Sequence, residues 1–486
     1  MNMMFSQLMP LAPVLIVSLT SVLVMLLVAI KRHHALAATT TVIGLNAALL
    51  CIVWQLYLPN AGPAQVTSLF MVDGFALFYM ALILIAALAC TTLAHAYIDT
   101  YKNNREELYI LLLIAVAGAM LLGASQNLSS FFVALEVLSV PTYGLLAYTH
   151  ERQRSLESGI KYMVLSATAS AAMLMGMAFL YAYTGSLDFH QIGQGMIQAL
   201  HHPLAVLGMA LVFVALAFKL SLVPFHAWTP DVYQGAPAPV ATFLATVSKV
   251  AVFAVLLRFM FVSAGLAMEG LQTLLTAIAV ASIVVGNLLA VRQVNLKRLL
   301  GYSSIAHFGY VLIAVVCLGT ASLGTTSVYL VTYVLTTLGA FGVVALMSSP
   351  YHETEAESLA DYRGLFWRRP ILTAVLTVMM LSLAGIPLTA GFIGKFLVVL
   401  AAVQAQHWFL AGMVVVGSAI GLYYYLRVMV VLYMTPPDTP RMDVQGHWGT
   451  QAGGVMVLLV TLLVLVLGIA PQPLIKLASL AQLVVN

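Results

Sequence analysis

Residues 203–239 read PLAVLGMALVFVALAFKLSLVPFHAWTPDVYQGAPAP. The run from Pro203 to Leu220 is long and apolar enough to cross a hydrocarbon core of ~30 Å at ~1.5 Å per residue. Yet it contains Lys219 and leads into Pro224, Pro230, Pro237 and Pro239. Proline removes a backbone donor and clashes with the preceding turn, so this helix is interrupted at membrane depth. Irregular backbone survives there only where protein or water covers it. A broken apolar helix beside a charge therefore predicts an all-α polytopic membrane protein with a polar interior.

The rest of the chain agrees. Of 486 residues, 62% are hydrophobic and 7% are charged, with a mean hydropathy of +1.03; ordinary soluble domains carry roughly 25% charged residues. Cys51, Cys90 and Cys317 stand singly in apolar runs, which argues against disulfides, zinc sites and Fe–S clusters. Apolar runs recur end to end and predict about fourteen transmembrane helices, beginning near Leu11, Ala35, Val72, Leu108, Leu128, Ser158, Pro203, Ala238, Leu271, Leu299, Ser327, Pro370, His407 and Ala452. The first run is followed, not preceded, by Lys31 and Arg32, the reverse of a cleavable signal. It reads as a retained helix with its N-terminus outside.

Charge placement supports this count. With the N-terminus outside, the cytoplasmic loops and adjoining helix ends hold Lys31, Arg32, Lys102, Arg105, Arg152, Arg154, Lys161, Arg292, Lys297, Arg298, Arg363, Arg368, Arg369, Arg427 and Arg441. Only Arg258 and Lys476 fall on the outer side, so the net charge of +4 reflects topology and implies no nucleic-acid partner. Lys219, Lys249 and Lys395 remain, inside helices 7, 8 and 12. Asp73, Lys161 and Arg427 sit near helix ends, where snorkelling is expected.

Helix 12 contains a second break, SLAGIPLTAGFIGK, with Gly385, Pro387, Gly391 and Gly394. Two interrupted helices spaced five apart suggest two five-helix repeats, helices 4–8 and 9–13; an odd repeat length makes them inverted. The corresponding divisions are residues 1–107, 108–262, 271–435 and 452–486. Two unrelated proline kinks are the alternative.

Glu136, in SFFVALEVLSVPTYG of helix 5, joins the three lysines as a charge inside the membrane. Each costs at least ~2.5 kcal/mol at a helix centre, so all should face the bundle interior. One glutamate cannot neutralise three lysines, and lost hydration favours the neutral amine. A Glu136–Lys219 contact that opens and closes would shift a proton toward Lys249; as an ion pair alone it would simply hold helices 5 and 7 together. His307, in GYSSIAHFGYV, reads either as a relay between Lys249 and Lys395 or as a hydrogen-bonded core histidine. His226 reads either as a link to the cytoplasm or as a local cap, and Lys161 is a candidate for proton uptake.

The segments FKLSLVPFHAWTPDVYQGAPAPV, NLKRLLGYSSIAHFGY, SLAGIPLTAGFIGKF and GSAIGLYYYLRV resemble the antiporter-like membrane subunits of proton-pumping NADH:quinone oxidoreductase, respiratory complex I, in detail the bacterial N-type branch. The likeness covers essentially the whole chain. It implies a subunit of the bacterial inner membrane that moves protons from cytoplasm to outside through Glu136, Lys219, Lys249 and Lys395, with His307 bridging the halves. It further implies neighbouring membrane subunits as partners, and NADH, FMN, Fe–S clusters and quinone held elsewhere in the complex. Helix 12 carries Lys395 where the M-type subunit has a glutamate, and the long lateral helix of the L-type subunit is lacking. The absence of dinucleotide, haem and cluster motifs agrees with a chain that has no redox centre. A multi-subunit cation/proton antiporter and a non-translocating scaffold are the alternatives.

Overall fold

The computed structural model describes residues 8–57, 62–99, 101, 104–198, 202–263, 269–348, 355–437 and 448–484. Lys102 and Arg441, two of the basic residues expected on the cytoplasmic side, lie outside them. The fourteen membrane helices are Ala12–Ile30 (helix 1), His34–Tyr57 (2), Gly74–Ile98 (3), Glu107–Ala124 (4), Leu128–Leu146 (5), Gln153–Thr184 (6), helix 7 in two parts, Ala238–Val262 (8), Glu269–Val291 (9), Leu296–Leu318 (10), Leu323–Met347 (11), helix 12 in two parts, Trp408–Tyr433 (13) and Ala452–Ile469 (14). Helix 7 comprises 7a, Pro203–Leu220, and 7b, Trp228–Gly235; helix 12 comprises 12a, Pro370–Ala384, and 12b, Ala390–Gln404. Asp231 belongs to 7b. Helix 6 begins at Gln153, a turn earlier than its apolar run, because its polar first turn projects beyond the membrane. A small antiparallel hairpin, Ala64–Val66 with Phe70–Val72, joins helices 2 and 3, and Phe189–Gln198 forms a short helix between helices 6 and 7.

Both breaks are made the same way. Helix 7a ends at Ser221 (φ 62°) and 12a at Gly385 (φ 84°), each in the left-handed region. In each, the next amide folds back five residues, Leu222 N to Ala217 O at 2.8 Å and Ile386 N to Leu381 O at 3.0 Å. This closure satisfies carbonyls that a stopped helix would otherwise leave bare in the membrane. Matching terminations five helices apart favour the inverted repeat over unrelated kinks.

Helices 8, 10 and 11 are almost wholly enclosed, while helices 1, 2, 13 and 14 present leucines and valines outward. An apolar exterior needs no polar complement in lipid; the enclosed helices carry the polar groups.

Arg258 and Asp73 correct the snorkelling expectation. Both are fully enclosed, and the guanidinium donates to Asp73 Oδ1 at 2.6 Å, to Asp73 Oδ2 at 3.1 Å and to Gly123 O at 2.8 Å. Asp73 also caps helix 3 through Ala76 N and receives Val484 N, so the pair fastens the C-terminal segment to helices 3, 4 and 8. Arg427 likewise does not snorkel: it donates to Val291 O at 2.8 Å and to Gln293 O, closing the end of helix 9.

Removing one partner of such a pair leaves a buried charge bare. Asp73→Ala is expected to lose about 3–5 kcal/mol of stability, read as a lower thermal midpoint of the detergent-solubilised protein. An unchanged midpoint would refute the clamp.

Candidate functional site

In the first repeat, Lys219 occupies the last turn of 7a and is fully buried. Its Nζ donates to Ser139 Oγ of helix 5 and Ser166 Oγ of helix 6, both at 2.6 Å, and lies 5.4 Å from the ring centre of Tyr162. Glu136, only partly buried, accepts from Ser170 Oγ at 2.5 Å. The expected Glu136–Lys219 contact is therefore open. Ser139 follows Glu136, and Ser170 follows Ser166, by about one turn, so carboxylate and amine occupy successive rungs between helices 5 and 6. At ~5.4 Å and an effective dielectric of 20, two such charges still interact by about 3 kcal/mol.

The turn between 7a and 7b is closed by Thr229 Oγ1 donating to Ser221 Oγ at 2.5 Å and Trp228 Nε1 donating to Phe218 O at 3.0 Å. His226 lies in this turn, partly buried, and its Nδ1 bonds no group among the described residues. Lys161 stands exposed on the rim rather than in the interior, paired with Glu157 at 2.5 Å and Asp231 at 3.7 Å. With Arg154, Ser158 and Gln234 these residues line a polar cavity of about 190 Å³. Tyr162, the next residue along helix 6, is buried with its ring against Trp228 and the Lys219 amine.

The centre is built on helices 8 and 10. Lys249 is fully buried and donates to Ser304 Oγ at 2.8 Å, with the rings of Phe308 and Tyr233 at 5.0 and 5.7 Å. It follows a π-helical turn, Leu244–Ser248, an irregularity frequent at functional positions. Tyr333 Oη links the two helices, bonding Ser304 Oγ at 2.6 Å and donating to Ala245 O of that turn at 3.1 Å.

His307 is one turn further along helix 10. Its Nδ1 meets Tyr329 Oη at 2.7 Å and its Nε2 meets Tyr425 Oη at 3.3 Å; Tyr425 in turn bonds Ser303. It bonds neither lysine directly but lies within electrostatic reach of both Lys395 and Lys249.

Lys395, on 12b, reaches back to the end of 12a and donates to Leu383 O at 2.8 Å and Ala384 O at 3.0 Å. Carbonyls at a helix C-terminus carry partial negative charge, so 12a supplies the acceptor that a carboxylate would otherwise provide.

Sequence reasoning thus located the amines but missed the groups that hold them. Ser139, Ser166, Ser304, Tyr329, Tyr333 and Tyr425 were visible only as polar residues in apolar runs, a signal shared by hydroxyls such as Thr142 and Thr242 that bond their own helix.

A file of buried amines, hydroxyls and one imidazole, strung across two inverted repeats with broken helices, defines a membrane ion carrier of the proton-relay type. The family model described as "NADH:quinone oxidoreductase/Mrp antiporter, TM" matches residues 125–421. NADH-quinone oxidoreductase subunit N of Acinetobacter baumannii (strain AB0057) is 65% identical over 480 residues, covering 99% of this chain and 96% of that one. The subunit N of Ectopseudomonas mendocina (strain ymp) is 57% identical over 481 residues, covering 98% and 96%. Among solved structures, respiratory complex I from Thermus thermophilus with bound aureothin superposes with a TM-score of 0.80 at 34% identity, covering 96% of this chain and 98% of that one. The Mrp complex from Dietzia sp. DQ12-45-1b shares the fold, with a TM-score of 0.85 at 22% identity over 97% and 96% of the two chains. The chain belongs to the NADH:quinone oxidoreductase/Mrp antiporter membrane family.

Gly385 tests the Lys395 site. A Cβ there would lie 2.7 Å from Lys395 Cδ, and the φ of 84° is unfavourable for other residues. Gly385→Ala is expected to displace the amine from its carbonyls and lower NADH-driven proton uptake by inverted vesicles roughly 10-fold per assembled complex, within the ~100-fold that a 1 Å misplacement can cause.

Proposed function

We infer that this chain is a proton-translocating membrane subunit of a bacterial NADH:quinone oxidoreductase, driven by quinone reduction in other subunits. The observation that carries this reading is how the three central lysines are held. Among the described residues, Lys219, Lys249 and Lys395 bond only neutral hydroxyls and carbonyls, with no carboxylate at ion-pair distance. A neutral acceptor lets an amine lose and regain its proton without stranding a buried carboxylate, whereas a purely structural lysine would be expected to have a fixed counter-charge.

In this reading protons enter from the cytoplasm near helices 7 and 8, through the Lys161/Asp231 vestibule and past Tyr162 to Lys219. They pass to Lys249, then through Ser304, the tyrosines and His307 to Lys395, and leave outward. Glu136 biases Lys219 through the rung it shares with Ser170, and closing that gap would favour the charged amine. Closing the gap from ~5.4 to ~4 Å adds about 1 kcal/mol, less than the ~2.3 kcal/mol needed to move a proton against 100 mV, so the remainder must come from the driving reaction in the other subunits. His226 supplies a second cytoplasmic link at the helix 7 break.

The chain sits in the inner membrane with its N-terminus outside, against lipid and other subunits of the complex. NADH, FMN, Fe–S clusters and quinone belong to those subunits. The four divisions at 1–107, 108–262, 271–435 and 452–486 then correspond to an N-terminal lipid-facing group, the two half-channels and a closing helix.

Lys219→Ala and Lys395→Ala are expected to leave the complex assembled, with NADH-driven proton uptake by inverted vesicles strongly reduced, and Glu136→Gln to reduce it less severely. A scaffold would instead lose assembled complex while each surviving copy pumped normally. Sodium-dependent transport without dependence on NADH or quinone would favour the antiporter reading.

A further inference from the structure

The sequence count treated Lys297 as an ordinary cytoplasmic loop cation. It is fully buried, in the first turn of helix 10, and its partner is Glu355, a residue of the segment joining helices 11 and 12 that is itself enclosed. Glu355 Oε2 accepts from Lys297 Nζ at 2.5 Å. Its Oε1 accepts from Tyr97 Oη of helix 3 at 2.5 Å, from Arg152 Nη1 at the start of helix 6 at 3.1 Å and from the Ala238 amide at the start of helix 8 at 3.1 Å. Lys297 Nζ also donates to Ala236 O at 2.6 Å, immediately before helix 8. The segment is anchored alongside by Leu296 N to Glu357 O, Leu359 N to Val294 O and the Arg154–Glu357 pair at 2.6 Å.

One carboxylate therefore ties the first turns of helices 8 and 10, one from each repeat, to each other and to helices 3 and 6. Those two helices meet again deeper in the protein at a single polar contact, Lys249 Nζ to Ser304 Oγ. Between the Ala238 anchor and Lys249 lies the π-helical turn Leu244–Ser248, the one place in helix 8 where register can change without breaking the helix. With the start of helix 8 fixed, any change in that turn is delivered to Lys249.

A buried ion cluster is weak support for stability as such, because apolar packing of similar volume often does as well; what it adds is direction and register. We propose that Glu355 is a positioning residue for proton transfer between the repeats, setting the Lys249–Ser304 contact by holding the starts of helices 8 and 10. The proposal rests on the proton-transfer reading of Lys249.

The charge state suits this role. Burial pushes the Glu355 carboxyl up, but Lys297 and Arg152 outweigh it and hold it below the usual carboxylate value of 4.5. A depressed carboxylate gives its full stabilisation above the unfolded value and loses it only as pH falls through the lower folded value, so the strut is intact at neutral pH.

The test uses the whole complex in inverted membrane vesicles, with NADH-driven proton uptake expressed per assembled complex. Glu355→Gln is expected to lower it roughly 10-fold, as a small displacement of a reacting group does. Ser304→Ala should lower it comparably, and the double variant Glu355→Gln/Ser304→Ala should be no worse than the weaker single, because both act on one contact. Multiplying effects, or normal uptake per complex in Glu355→Gln, would overturn the proposal. If Glu355→Gln does not assemble, Glu355→Gln/Lys297→Met removes the wholly buried one of the two cations that Glu355→Gln leaves unpaired, while Arg152 keeps Tyr97 Oη; this pair should assemble and pump poorly, and normal pumping by it is equally fatal. Lys219→Ala and Lys395→Ala serve as controls. If they too pump normally, the proton-transfer reading has failed; if they are impaired while the Glu355 variants are not, only the positioning role has.

Discussion

The structure is organised around the penalty for placing an ammonium in hydrocarbon. At a helix centre this is at least ~2.5 kcal/mol, and three lysines incur it in one chain. Each is met by oxygen atoms that the local backbone has been shaped to present. Lys395 requires a helix that stops in mid-membrane so that two carbonyls are free. Lys219 requires helices 5 and 6 close enough to offer two serines. Lys249 requires helix 10 against helix 8. The breaks in helices 7 and 12 and the π turn in helix 8 place irregular backbone beside each amine; the π turn is wholly enclosed, whereas the tips of the two breaks, Pro224, Ala227, Pro387 and Leu388, are exposed.

Buried charge is used in two distinct ways. At one end of the helices Arg258 is matched by Asp73, and at the other Lys297 and Arg152 are matched by Glu355. These groups are fixed, since losing one partner would leave the other bare in low dielectric. Between the two levels the lysines have neutral acceptors. Rigidity at both ends and protonic freedom in the middle is the distribution expected of a relay, whose groups must change charge while the frame keeps their spacing within hydrogen-bond reach.

This distribution also explains what was legible in the sequence. Helix number and sidedness follow from apolar run length and the placement of Lys and Arg, both local properties, and the prolines and glycines of helices 7 and 12 announce their breaks. The same tally isolated Lys219, Lys249 and Lys395. It failed for Lys297 and Asp73 because it assigned charges at helix ends to solvent, whereas their partners, Glu355 and Arg258, are brought in from distant segments. The π turn lies in LATVS, a run that reads equally well as ordinary helix, and its distinguishing feature is a carbonyl taken by Tyr333 from helix 11. Tertiary partners are invisible to a reading of periodicity.

The two repeats are alike in backbone and unlike in how each amine is held. Lys219 precedes the left-handed residue that ends 7a, whereas Lys395 follows the one that ends 12a and reaches back to it. Lys219 is therefore held by serine hydroxyls, which rotate and can donate or accept, with Glu136 one rung away to alter its charge. Lys395 is held by backbone carbonyls, which can only accept and are fixed by the end of helix 12a. One amine thus has adjustable hydroxyl ligands and the other fixed carbonyl ligands, so the two half-sites share a backbone plan but respond differently to a change in their surroundings: a rotated hydroxyl can follow its amine, a helix end cannot.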